Sequence, residues 1–254
     1  MRVSAQGFRA PKLGNQDSEY EDAFYPRREL ISREARIFHF AVADGATETS
    51  FSGLWAKQLV RAFCRGRLDG PMCLEGLRLL REQWHKIVSR RRLPWYAEEK
   101  VRSGAFAAIA GIRLEDGAGA QGRGIWKAIA VGDSCVFHVR KKKVLCCFPI
   151  QKSDDFNNSP RLLSSNKPES ERYRAKLQRT SGVWHGGDTF YLMTDAVACW
   201  FLKQIESGAV PARELADLTD GGSNSFQQWL SGLRERKGVR NDDVTILRVE
   251  IEKD

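Results

Sequence analysis

The sequence predicts an α+β fold in which antiparallel sheets are flanked by helices. Two observations carry this. First, short apolar runs repeatedly end or begin at acids. Phe38–Ala43 runs into Asp44, KAIAVG into Asp133 and TFYLMT into Asp195, while Glu21-Asp22 precede AFY and Asp242-Asp243 precede VTILRVEI. Short apolar runs bounded by turn residues read as buried strands. Second, helical periodicity clusters after Asp44 and after Asp195, without the strict strand–helix alternation of a doubly wound sheet. In an antiparallel sheet the start of one strand lies beside the end of its neighbour, so five such strands bring their acids to one rim. Carboxylates crowded there repel one another unless a cation binds, which is the physical case for a divalent metal site.

The elements follow in order. Residues 1–19 read as a short strand and an irregular polar lead-in, and Glu21–Tyr25 as a strand limited by Pro26. Arg27–Arg36 reads as a charged connection to the strand ending at Asp44. Ser50–Cys64 has helical spacing in Leu54, Trp55, Leu59, Val60 and Phe63, with Ser50 or Ser52 as cap and Gly66 as stop. Asp69-Gly70-Pro71 opens a second helix whose stripe includes Leu77, Leu80, Trp84 and Val88, followed by Arg90-Arg91-Arg92. Ser103–Leu114 and Ile125–Val131 are strands joined by a turn at Gly117–Gly124. Cys135–Val139 and Val144–Phe148 form a hairpin around Lys141–Lys143. Residues 151–170 make a long polar loop, and Ser170–Gln178 a short helical or extended segment. Asp188–Thr194 is the strand into Asp195. Helices follow over Ala196–Glu206, from Pro211, and around Phe226–Leu233, and Val244–Ile251 is the last strand.

The chain has 254 residues, 42% of them hydrophobic, enough for a sizeable core, and we expect one domain over 1–254. The net charge of +9 favours anionic partners. No apolar run reaches membrane-spanning length and the N-terminal stretch lacks a secretory signal's apolar core, so no membrane association is expected. The six cysteines show no disulfide-framework spacing and no CxxC pair, which fits a cytoplasmic, reducing setting.

Several chemistries lack their residues. A cysteine phosphatase needs CxxxxxR, and Cys73 with Arg78 and Cys135 with Arg140 each fall one residue short. His39, His85, His138 and His185 are scattered and form no zinc pair with cysteines. There is no P-loop GK[ST]. Nucleic-acid binding has only Trp184-His185 beside Arg179 in its favour.

The ordered set Glu21-Asp22, Asp44-Gly45, Ser103-Gly104, Val131-Gly132-Asp133-Ser134, Thr194-Asp195 and Asp242-Asp243-Val244-Thr245 resembles type 2C metal-dependent serine/threonine protein phosphatases. The resemblance spans nearly the whole chain and is greatest to the divergent bacterial branch, where Ala-Thr-Glu follows the first Asp-Gly. It implies two stacked antiparallel β-sheets with α-helices outside both. It implies Mn²⁺ or Mg²⁺ as cofactor, two ions and a weaker third, and a phosphorylated protein as substrate. On it, Asp44 bridges the ions, Glu21 and the Gly45 carbonyl hold one, Asp195 and Asp242 hold the other, and Asp22 bonds metal-bound water. Asp133 corresponds to a ligand of the third site. Oxygen donors of this kind suit hard cations.

The sequence also departs from the pattern. Ala46-Thr47-Glu48 stand where the family usually has His and Gly, and Cys199 stands where an acid is common. Asp243 replaces the usual Asn. The family's phosphate-binding Arg has no match at the usual spacing, leaving Lys12 or Arg9 as substitutes. These departures define an alternative, a weak or inactive pseudophosphatase that binds phosphoproteins or scaffolds a complex.

Overall fold

A computed structural model describes residues 1–47, 49, 51–68, 73–91, 101–117, 122–157, 160–166, 177–220 and 222–253. Expectations for Glu48, Ser50, Asp69–Pro71, Arg92, the middle of the 117–124 turn, Asn158 and 170–176 lie outside these residues.

One sheet has the strand order β3 (Leu30–Glu34), β1 (Arg2–Ala10), β12 (Val244–Ile251), β11 (Asp188–Met193), β7 (Cys135–Arg140), β8 (Lys143–Phe148). The other runs β10 (Gln178–His185), β6 (Arg123–Val131), β5 (Phe106–Asp116), β4 (Ile37–Gly45), β2 (Ala23–Tyr25), with β9 (Leu163–Ser164) on β5. The pairings are antiparallel. Helices α1 (Ser52–Cys64) and α2 (Cys73–Val88) cover the second sheet. Helices α3 (Asp195–Glu206), α4 (Pro211–Asp220) and α5 (Gly222–Glu235) cover the first.

Strand periodicity explains the layers. Along β4, Phe40 and Val42 point between the sheets, whereas Ala41 and Ala43 lie under α1. Successive side chains on a strand face opposite ways, and β4 is covered on both sides, so it reads as a continuous apolar run. Phe190 and Leu192 of β11, with Leu247 and Val249 of β12, meet them from the opposite sheet. Each large side chain buried in this way contributes roughly 1.5–3 kcal/mol.

Strands β3, β9 and β10 escape the sequence reading, and β1 is longer than the short strand expected. β1 is a full strand of nine residues, since its polar positions face outward. β3 lies within the expected charged connection. It is a mostly exposed edge strand, and charge suits an edge. β10 pairs along β6 and carries Trp184, which is fully buried and donates from Nε1 to the Glu115 carbonyl at 3.0 Å. Trp184 is therefore a packing residue, not a base-stacking platform. Ser52 does not cap α1. It is the first helical residue, and its hydroxyl donates to Glu21.

The two sheets are tied together at one end. Thr245 Oγ1 donates to Asp22 Oδ2 at 2.7 Å. Asp243 accepts from the Lys12 amide at 2.9 Å with Oδ1 and from the Glu21 amide at 2.7 Å with Oδ2. A carboxylate serves both donors, whereas an amide side chain has one acceptor oxygen. Asp243→Asn therefore strands one buried N–H, and we expect a loss of about 1–3 kcal/mol, read as a lowered urea midpoint in chelator. An unchanged midpoint would show that this tie does not hold the sheets.

Candidate active site

The acids arrive from both sheets. Asp44 ends β4 and Asp22 precedes β2. The register Ala23↔Ala43 carried one step further puts Asp22 beside Asp44. Asp195 opens α3 directly after β11, and Asp242 leads into β12. Those two strand ends are locked where the Thr194 amide donates to the Thr245 carbonyl at 3.1 Å and the Thr245 amide to Thr194 Oγ1 at 3.0 Å. Asp133 lies in the β6–β7 connection that crosses between sheets. Gly45 is needed for close approach, because a Cβ there would come within 2.8 Å of the Glu21 carbonyl oxygen.

Asp44, Asp133, Asp195 and Asp242 line one cleft of about 490 Å³, together with Thr47, Thr49, Phe106 and Arg240. Asn157, Pro160 and Leu162 of the 151–170 loop form part of its wall. Burial pushes the Asp44 carboxyl well above its usual range, and the charges of Asp22, Asp195, Asp133 and Asp242 push it the same way. Burial, with Asp195 close by, raises Asp133 to about 7. Asp22 and Asp195 are raised too, chiefly by burial.

Glu21, Asp22 and Gly45 are not among the described residues lining the cleft, although the charge of Asp22 acts on Asp44. The Glu21 carboxylate is turned to Ser52, so Asp22 is the member of the pair that acts most on Asp44. Both residues precede β2, so strand alternation does not set which of them faces the site. Arg9 and Lys12 are not among the described residues lining the cleft. Arg9 is ion-paired to Asp17 at 2.6 Å and lies over the Tyr20 ring. The cation that does line the cleft is Arg240, whose Nη2 donates to Asp195 Oδ2. It lies two residues before Asp242, in a polar run that showed no distinguishing pattern.

Among the described residues no three His, Cys, Asp or Glu side chains are already set as a ligand shell. The reason is visible, since Asp195 is engaged by Arg240 and Glu21 by Ser52. The donor set still fits Mn²⁺ or Mg²⁺, because it is all oxygen and Arg240 compensates its repulsion only in part.

The protein phosphatase 2C profile matches residues 15–238. The chain belongs to the protein phosphatase 2C family. The match stops short of β12 and of Asp242. Among solved structures, the Mycobacterium tuberculosis serine/threonine phosphatase PstP/Ppp is similar at 13% identity and TM-score 0.59, over 99% of this chain and all of that one. PppA of Pseudomonas aeruginosa, described as a regulatory component of T6SS, is similar at 15% identity and TM-score 0.55, over 98% of each chain. The catalytic domain of PstP in complex with two manganese ions gives 14% identity and TM-score 0.56, over 99% of each. At such identities the likeness concerns the fold. No curated protein matches the sequence.

The raised acids set a pH dependence for this phosphatase-family chain without metal. Asp133 titrates near 7 when folded and near 3.9 when unfolded. Its contribution to stability is therefore full below about pH 4 and is lost as pH rises through about 7. In chelator the thermal midpoint should fall from pH 5.5 to 8, and Asp133→Asn should flatten that fall. A midpoint that rises over this window would contradict the crowding of these acids.

Proposed function

We propose that the chain is a metal-dependent phosphoprotein phosphatase hydrolysing phosphoserine or phosphothreonine. One observation carries this, the convergence of Asp22, Asp133, Asp195 and Asp242 on Asp44 at an open cleft. In this reading Asp44, Glu21, the Gly45 carbonyl, Asp195 and Asp242 would hold Mn²⁺ or Mg²⁺, and Asp133 would hold a weaker further ion. When bound, the divalent ions would supply an acidified water and positive charge for phosphoryl oxygens. Asp22 is held by Thr245 and orients bound water. Its carboxylate is fully buried and fixed, as a positioning group must be.

The 151–170 loop, which supplies Asn157, Pro160 and Leu162 to the wall, shapes access for a protein substrate. We place the protein in the cytoplasm, since Cys64, Cys73, Cys135, Cys146, Cys147 and Cys199 form no disulfide. Among the described residues no helix is long and apolar enough to cross a membrane.

The pseudophosphatase reading draws on the engagement of Asp195 by Arg240 and of Glu21 by Ser52. Turnover of p-nitrophenyl phosphate and a phosphothreonine peptide, with Mn²⁺ and with chelator, separates the two. We expect activity only with metal. Asp195→Asn and Asp242→Asn should each lose more than the roughly 10–100-fold that outer-sphere partners typically cost, with circular dichroism unchanged. Full activity in chelator, or near-normal rates in either variant, would overturn the assignment.

A further inference from the structure

The cleft holds a single cation among its described lining residues. Arg240 faces the carboxylates of Asp44, Asp133, Asp195 and Asp242. It pairs with Asp195 and also favours the charged form of Asp133. The Asp195 side chain is 8% exposed and that of Arg240 is 49% exposed, so the guanidinium reaches inward from the rim.

The backbone carrying Arg240 is fixed. The Asp242 amide donates to the Arg240 carbonyl at 3.0 Å and the Gly238 amide to the Leu233 carbonyl at 2.8 Å. Arg234 Nη2 holds the Asp242 carbonyl at 2.8 Å and the Pro11 carbonyl at 2.9 Å. A long, half-exposed side chain on a fixed backbone can change partner without moving the loop. Its planar fork matches carboxylate and phosphate oxygens equally well.

We infer that Arg240 exchanges partners. It neutralises Asp195 while no divalent cation is bound. Once a cation takes Asp195, the released guanidinium binds phosphoryl oxygens of the substrate in the same cleft. It therefore supplies a phosphate-binding cation in the cleft, whose described lining does not include Arg9 or Lys12. This rests on the metal-dependent reading above, and it has a consequence that a merely structural residue would not show. Removing the guanidinium strengthens metal binding and weakens phosphate binding at once.

The test is calorimetric titration of Mn²⁺ into the full chain, Arg240→Ala, Arg240→Gln and Arg240→Lys. Inorganic phosphate is then titrated into the Mn²⁺-loaded proteins, and circular dichroism confirms folding. Arg240→Ala should bind Mn²⁺ about fivefold more tightly, the scale of a partly exposed ion pair. It should bind phosphate at least about tenfold more weakly, the scale of a hydrogen bond to a charged group. Arg240→Gln carries the same expectation in a side chain closer in length, and decides the matter if the alanine variant does not fold. Arg240→Lys should fall between on phosphate, keeping charge but losing the fork. Unchanged or weaker Mn²⁺ binding in the neutral variants overturns the exchange, as does unchanged phosphate affinity. No Mn²⁺ binding by the unsubstituted chain is a separate result, which overturns the metal site itself.

Discussion

Mutual repulsion among carboxylates, held together by the ends of two sheets, is the constraint on which this structure turns. Asp22 and Asp44 belong to one sheet, Asp195 and Asp242 to the other, and Asp133 to the connection between them. Nothing in the packing of the sandwich requires acids there. They are kept close by ties that cross the sheets, from Thr245 to Asp22 and from Asp243 to the Glu21 amide. Asp44, Asp133 and Asp195 are raised first by burial and further by their charged neighbours, and Arg240 stands among them as a counter-charge.

The scaffold suits this task because its ends are rigid. β4 is buried on both faces, and α1 sits close above Ala41 and Ala43, where larger residues would lift it away. At Gly45 and Gly53 the backbone of Glu21 comes too near to admit a Cβ comfortably. The approach to β2 is thus pressed between the end of β4 and the start of α1. A site built at such junctions holds its groups more precisely than one carried on free loops.

Much of this was legible in the sequence because the acids mark strand ends, and strand ends in antiparallel sheets share a rim. The order of the acids, the two helical regions and the stacked sheets followed from that and from the family resemblance. What stayed hidden has physical reasons. β3 and β10 face solvent or an edge along much of their length, so alternation is faint. Glu21 and Asp22 could not be assigned to faces because they precede β2 rather than lie in it. Arg240 and Asp243 act through partners distant in sequence, Asp195, Lys12 and Glu21, which no local pattern reveals. Arg9 and Lys12 were plausible by charge and proximity to the acid pair, yet Arg9 is engaged by Asp17 and Tyr20.

The proposed function depends on divalent cations held by the acid cluster. Anomalous diffraction at the manganese edge from crystals soaked in Mn²⁺ would locate them. We expect two peaks, both bounded by Asp44, with one also reached by Asp195 and Asp242 and with Arg240 turned away from Asp195. Crystals of active protein with no peak among these acids, or with Mn²⁺ bound only elsewhere, would contradict this dependence.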